Sequence, residues 1–444
     1  MSKFLIATLP LTGHVSPGYP IARALVERGH EVRWYTGSKF RAKVEATGAR
    51  FEPMVQAYDF DDSEIDRAFP ERTRFSGLAQ LRHDLKHLFI DAAHGFMADL
   101  TSILKEFPAD ALINDTACLG VPMLSDRLRI PFATFGISVL TAPSIDTAPF
   151  GLGLPPDASP LGRLRNRSLN WAIDHILFRD VLAHYAETRR SLGLPPAAQG
   201  FFQGSLGGYL YLQATVPSFE YPRSDLPAHV HFVGPYLPKT SPDFTPPAWW
   251  SELHSGRAVV HVTQGTSATD PRELILPTLQ GLAEEDVLVV ATTGGKPTST
   301  VELAALPSNV RLESFVPHAE LLPHVAVMIT NAGFGGTQVA LAHGVPLVAA
   351  GASEEKPEVA ARIAWSGAGI DLRTRTPAPE RVRRAVRSLL RDPSYRQRAR
   401  RIAAEMTEYD APTHSAELIE ELARARRPIL RGAAPARPKS AVAA

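Results

Sequence analysis

Cysteine is almost missing from this chain: Cys118 is the single one in 444 residues. One thiol excludes an internal disulfide framework and a cysteine-rich metal site. Net charge is missing too, with 47 Lys and Arg against 46 Asp and Glu, a formal +1. That balance supplies no field to draw in a nucleic acid or an anionic membrane, so neither partner is expected. No apolar run reaches the roughly 18 residues needed to span a bilayer. The opening Lys3-Phe4-Leu5-Ile6-Ala7-Thr8-Leu9 is too short for a signal segment with a cleavage site and reads as a first core strand. A soluble, cytoplasmic protein of a reducing compartment is therefore expected. No pairing of histidines and no Asp-x-Asp run is read as a ligand set, so no metal site is expected.

What is present is a repeated strand-to-helix rhythm. Phe4–Leu9 leads into a turn and a predicted helix from Tyr19 to Arg28, stopped by Gly29. Glu31–Thr36 reads as the next strand, and a second helix runs near Phe40–Thr47 up to Gly48. Leu112-Ile113 and Pro131–Phe135 read as later strands of the same sheet. This βαβα order argues a parallel sheet covered on both faces. Residues 51–96 read as irregular and greasy, 141–160 as loop, and 163–191 as helical. A crowd of prolines at 235, 238, 242, 246 and 247 marks a linker, after which the rhythm restarts with Ala258–Val262, a helix at 272–282 and strands at 287–290, 310–312, 325–329 and 346–349. The predicted division is 1–235, a linker at 236–256, a second α/β unit at 257–404, a final helix at 405–424 and a disordered tail at 425–444.

The most informative stretch is Thr330-Asn331-Ala332-Gly333-Phe334-Gly335-Gly336-Thr337, between an apolar strand and a helical pattern. Bare backbone N–H groups and a positive helix end at such a junction suit a bound anion, a nucleotide phosphate being the usual one. The turn has neither the GxGxxG spacing of a dinucleotide fold nor the Lys-Ser/Thr ending of a P-loop. Taken alone it is equally a packing joint. His14, just past the first strand, stands where an open α/β sheet places ligands and a general base. Read from position alone it is equally a surface-loop histidine. Asp115 ends another strand; if the two strands are neighbours, its carboxylate orients the imidazole, and otherwise it is a helix N-cap. Thr263-Gln264-Gly265-Thr266 supplies hydroxyls and N–H groups for phosphate or ribose. Phe315-Val316-Pro317-His318 offers a flat face for a base, or else a core phenylalanine. Ser353–Glu358 opens a helix with acidic residues that also serve as ordinary dipole compensation.

Together these motifs resemble the UDP-glycosyltransferase superfamily of the GT-B fold, most closely its bacterial macrolide-type branch, over Phe4 to about Arg424. The resemblance implies two Rossmann-like domains facing across a cleft, with the C-terminal helix returning to the first. It implies His14 as catalytic base and Asp115 as its orienting carboxylate, from Gly13-His14-x-x-Pro17 and Ile113-Asn114-Asp115. It implies a donor site of Gly265, Thr266, Phe315, Val316, His318, Asn331, Gly333, Gly335, Gly336, Thr337, Glu355 and Lys356. Three positions depart from the family's pattern. Asn331-Ala332-Gly333 replaces His-Gly-Gly, Phe315 replaces a frequent Trp, and Lys356 replaces a sugar-reading Gln. The implied activity is inverting, metal-independent transfer of a hexose, glucose first, from a nucleotide-sugar to a hydroxyl of an aromatic or polyketide-like molecule. UDP-glucose would be co-substrate and no cofactor is implied; the protein would be a monomer or homodimer. The rival readings are a catalytically silent binding partner and a GT-B nucleotide-sugar epimerase.

Overall fold

The computed structural model describes residues 1–238, 244–265, 270–303 and 305–432. The first half builds a seven-stranded sheet from β1 (Lys3–Ala7), β2 (Glu31–Tyr35), β3 (Arg50–Glu52), β4 (Ala111–Asp115), β5 (Phe132–Phe135), β6 (Leu210–Gln213) and β7 (Val230–Phe232). Its order is β3-β2-β1-β4-β5-β6-β7 and every pairing is parallel. The second half builds a six-stranded parallel sheet from β8 (Ala258–Thr263), β9 (Val287–Thr292), β10 (Val310–Glu313), β11 (Val325–Thr330), β12 (Leu347–Ala349) and β13 (Gly369–Asp371). Its order is β10-β9-β8-β11-β12-β13.

Both sheets are covered on both faces, which is why their strands read as apolar runs. In β1, Phe4 and Ile6 face one core while Leu5 and Ala7 face another, the period-two alternation of a strand. The first of these cores is closed by Ala416, Leu418, Ile419 and Leu422. They belong to the last helix, Ala411–Ala425, which thus returns to the first half. A third core joins the halves: Val139, Ala214, Val216 and Phe219 pack with Val316, Phe334 and Val339.

Several elements differ from the sequence expectation. Residues 77–106 are helical rather than irregular: Gly77–Asp84, a π turn Leu85–Ile90 and the helix Ala92–Glu106. The expected helix at 163–191 is split by a second π turn, Ile173–Leu177, between Pro160–Ala172 and Arg179–Ser191. The predicted 405–424 helix is two helices, Pro393–Met406 and Ala411–Ala425, because Asp410 caps a new start from the Thr413 N–H and Pro412 enters the first turn. Within the linker, 239–243 lie outside the described residues, but Trp249 and Trp250 pack on the second-half core and Trp249 donates to Glu313 at 2.7 Å. Residues 425–432, expected in the tail, are held against the first half. Ile429 is buried, its N–H bonds to the Tyr209 carbonyl at 2.9 Å, and the Arg431 N–H bonds to Ala228 at 2.8 Å. Residues 433–444 lie outside the described residues.

Among the described residues no helix is long and apolar enough to cross a membrane.

Candidate active site

In each sheet the strand order reverses once, between β1 and β4 in the first and between β8 and β11 in the second. Such switch points open a crevice at the carboxyl ends of the strands. His14 and Asp115 lie at the first, Gly265 and the 331–337 turn at the second, while Phe315–His318 follow β10 and Glu355 and Lys356 follow β12.

At the first, β1 and β4 pair directly, with Ala7 opposite Asn114. The chain after β1 folds into the short turn Thr12–Val15, which carries His14. Asp115 ends β4 and is wholly buried. His14 Nδ1 lies 2.7 Å from Asp115 Oδ1. The carboxylate also accepts from the Leu9 N–H at 2.9 Å and the Ala117 N–H at 2.8 Å. With two backbone N–H groups already on its oxygens, Asp115 meets His14 as an acceptor of Nδ1–H, which leaves His14 Nε2 as the acceptor free to take a proton. Asp115 is not the N-cap of the following helix, Gly120–Leu128, whose N-cap residue is Leu119; its contact with Ala117 closes only the turn after β4. His14 is therefore no loose surface histidine. The neighbouring Cys118 is buried, and burial with the Asp115 charge pushes its thiol up, away from nucleophilic use.

At the second switch point, Gly265 follows β8 with φ of +71°, and Asn331 follows β11. Asn331 spends its side chain on the protein: Nδ2 donates to the Gln264 carbonyl and Oδ1 accepts from the Gly333 N–H at 3.3 Å. Ala332 holds a left-handed φ of +64° where the family's pattern has glycine. The helix Phe334–Ala342 then starts, with Gly333 as its N-cap residue and Gly335 and Gly336 in its first turn. Thr337 Oγ1 is buried and has no hydrogen-bond partner among the described residues. Thr266 lies outside the described residues.

Phe315 is 65% exposed, so it is not a core residue, whereas Val316 is buried. His318 touches a second histidine: His261 Nδ1–H donates to the Val290 carbonyl at 2.9 Å, and His261 Nε2 lies 3.4 Å from His318 Nε2. Burial holds both rings neutral, lowering His261 to about 3 and His318 to about 4. Neutral His261 then accepts from His318 Nε2–H, so His318 Nδ1 is left as an acceptor.

Glu355 precedes the helix Lys356–Trp365. Burial raises its carboxyl above the usual range; Lys356 opposes this, Glu354 adds to it, and His14, across the cleft, opposes it weakly. Lys356 pairs with Glu354 rather than with Glu355 or Glu358. Glu358 has other partners. Its Oε1 accepts from the Gly151 N–H at 2.9 Å and the Gly153 N–H at 2.7 Å, and its Oε2 from Arg362 Nη1 at 3.0 Å. Arg362 continues to Glu220 in the first half, Nε to Oε1 at 2.7 Å, with its guanidinium 3.9 Å from the Tyr221 ring centroid.

Comparison with known proteins decides the family. The model for the erythromycin biosynthesis protein CIII-like C-terminal domain matches residues 277–422. The chain is 50% identical over 422 residues to 4'-demethylrebeccamycin synthase of Lentzea aerocolonigenes, covering 95% of this chain and 99% of that protein. It is 36% identical over 436 residues to UDP-glycosyltransferase 2 of Phaeomoniella chlamydospora, covering 95% and 96%. The chain belongs to the UDP-glycosyltransferase superfamily, in its bacterial macrolide-type branch. Its fold is GT-B: the solved glycosyltransferase of kitacinnamycin superposes with a TM-score of 0.74 over 96% of this chain and 99% of that one, at 22% identity.

As a glycosyltransferase, the chain carries site-supporting residues that sequence pattern alone does not reveal. Asp62 accepts from the Thr12 N–H at 2.7 Å and so ties down the His14 turn from 50 residues away. Asp59-Phe60-Asp61-Asp62 is an Asp-x-Asp run with an acidic neighbour, the visible signal of this tie. It holds no ligand set, because Asp59 accepts from the Ser38 N–H while Asp61 and Asp62 pair with Lys39. His83 and His87 are a pair of histidines four residues apart, contrary to the expectation that the chain has none that suggests a ligand set. Arg362 and Glu220 gave no sequence signal, since a charge on a helix or in a loop ordinarily faces water.

Proposed function

We propose that this glycosyltransferase moves a hexose, glucose first, from a UDP-sugar to a hydroxyl of an aromatic or polyketide-like small molecule, with inversion and without a metal. The observation that carries the reading is the 2.7 Å contact of His14 with the buried Asp115. The acceptor O–H gives its proton to His14 Nε2 as its oxygen attacks the anomeric carbon. The bond from that carbon to the diphosphate breaks, and the nucleoside diphosphate leaves with the bonding pair. Asp115 stabilises the imidazolium through Nδ1–H, and proton transfer of this kind is typically worth 10²–10⁴-fold.

The leaving diphosphate is held by the N-terminus of the helix Phe334–Ala342, through the backbone at Gly333, Gly335 and Gly336 and the Thr337 hydroxyl, with no cofactor required. Phe315 gives the base a platform, with Val316 and His318 beside it and Gly265 near the phosphates. Asn331 acts through bracing these turns, and Glu355 accepts from sugar hydroxyls. Phe89, whose ring centroid is 6.4 Å from that of His14, lies on the acceptor side, where an apolar wall suits an aromatic guest. The similarity to 4'-demethylrebeccamycin synthase supports an acceptor of natural-product type. The intact His14–Asp115 pair argues against a silent binding partner, and the apolar wall against an epimerase.

A panel of nucleotide-sugars crossed with aromatic acceptors, read by mass spectrometry, should give a hexose increment in UDP-glucose wells. EDTA should leave turnover at saturating acceptor unchanged. A product with the donor's anomeric configuration, or turnover lost to EDTA and restored by Mg²⁺, would overturn the mechanism.

A further inference from the structure

Away from the cleft, one set of three metal-ligating side chains converges among the described residues: His87, Asp91 and His184. His87 lies in the π turn Leu85–Ile90 and Asp91 directly follows it, while His184 comes from the helix Arg179–Ser191. His87 Nδ1 is 2.8 Å from one Asp91 oxygen and His184 Nε2 is 2.5 Å from the other. All three ligand atoms lie within 4.8 Å of one another. A tetrahedral zinc ion with ligands at about 2.0–2.2 Å needs its ligand atoms about 3.3 Å apart. The observed spacing brackets that value, so an ion enters with side-chain shifts of under about 1 Å.

We propose that His87, Asp91 and His184 form a zinc site that bolts the π turn to the helix Arg179–Ser191. Two imidazoles and one carboxylate are a ligand set suited to zinc. All three groups are partly exposed, with side-chain exposures of 45%, 43% and 31%, so water has access to the fourth position. The nearest cations on the same segment do not compete, because Arg82 and Lys86 are both turned to Asp180. The His83 ring, 4.6 Å from that of His87, limits how far His87 can swing. The position matters to the cleft because Phe89 lies between His87 and Asp91 in sequence and sits beside His14. An ion here would fix the acceptor-side wall without touching the reacting atoms. Only this last consequence rests on the transferase reading; the binding itself does not.

The test uses tag-free, full-length protein stripped with a chelator and titrated with Zn²⁺ against a chromophoric zinc chelator, with no substrate present. One equivalent should bind to the wild type. His87→Ala and His184→Ala should each weaken binding at least tenfold, while His175→Ala, in the neighbouring π turn, should not. Zn²⁺ should also raise the melting temperature of the wild type and leave that of the His87→Ala/His184→Ala double variant unmoved. Binding no tighter than millimolar, or equal binding by the double variant, would leave the three groups a hydrogen-bonded clasp and overturn the site.

Discussion

Arg362 and Glu220, 142 residues apart and each only 1% exposed at the side chain, join the two halves through a guanidinium–carboxylate contact of 2.6–2.7 Å. Glu358 completes the arrangement from the same helix as Arg362. Breaking a buried pair by removing one partner leaves an uncompensated charge and typically costs about 3–5 kcal/mol. Arg362→Met should therefore destabilise the protein by about that much in urea unfolding. Arg362→Lys, which keeps charge but not the fork, should cost less. A loss under about 1 kcal/mol for Arg362→Met would mean that water reaches the pair. If Arg362→Met does not fold, Glu358→Gln should still show the weakening, since it removes one charge and keeps the shape.

His14→Ala should abolish transfer while UDP binding survives, because the base belongs to the first half and the nucleotide site to the second. Asp115→Asn should lower kcat at least about a hundredfold, since an amide no longer fixes the tautomer or steadies the imidazolium. Calorimetric titration of UDP separates the outcomes: unchanged turnover sinks the base, and lost binding signals misfolding.

Glu355→Ala should reduce kcat/KM roughly ten- to a hundredfold with nucleotide affinity nearly intact, the value of about 1.5–3 kcal/mol for a hydrogen bond to a charged group. Lys356 is tied to Glu354. Lys356→Gln should consequently shift all donors together. A changed ranking of UDP-glucose against a dTDP-deoxysugar would instead make Lys356 a reader of the sugar.

The last helix should loosen in acid before the sheets do. Glu420 accepts from Arg28 Nε at 2.6 Å and sits 2.8 Å from His30 Nε2, and these contacts lower its carboxyl from 4.5 to about 2. A depressed carboxyl stabilises the fold above its unfolded value, and that contribution disappears as pH falls from about 4.5 towards about 2. Proteolysis near Ala411–Ala425 between pH 5 and 2.5 should rise in the wild type. Glu420→Gln should already be loose at pH 6. Identical profiles for the two proteins would remove Glu420 from the account.

The strand ends were legible in sequence because buried parallel strands are short apolar runs, and His14, Asp115, Gly265 and Asn331 punctuate them. Adjacency was not: that β1 lies beside β4, so that His14 meets Asp115, depends on strand order, which no local pattern encodes. The π turn at 85–90 was hidden because its extra residue breaks the 3.6-residue period in a segment already crowded with His, Lys and Asp. Ile429 was hidden for the opposite reason, as one apolar residue among Arg, Pro and Ala. The pairing of Lys356 with Glu354 was hidden because the chain passes Glu354 through a left-handed φ of +56°, which sequence spacing along a helix does not anticipate. Asn331 was expected to face the donor, yet an amide with both an acceptor and a donor is the group able to brace two adjacent turns.

Each half carries its own switch point, and this makes the molecule divisible in a way useful to protein engineers. A chimera that keeps residues up to the linker and takes the following α/β unit from a relative should inherit the acceptor range of one parent and the donor of the other. The seam sets the condition for such a graft. The incoming half must present an arginine to Glu220 and apolar groups to Val139, Ala214, Val216 and Phe219. It must also leave Ala411–Ala425 matched to the half on which that helix rests, so the last helix is best inherited with the first half rather than the second.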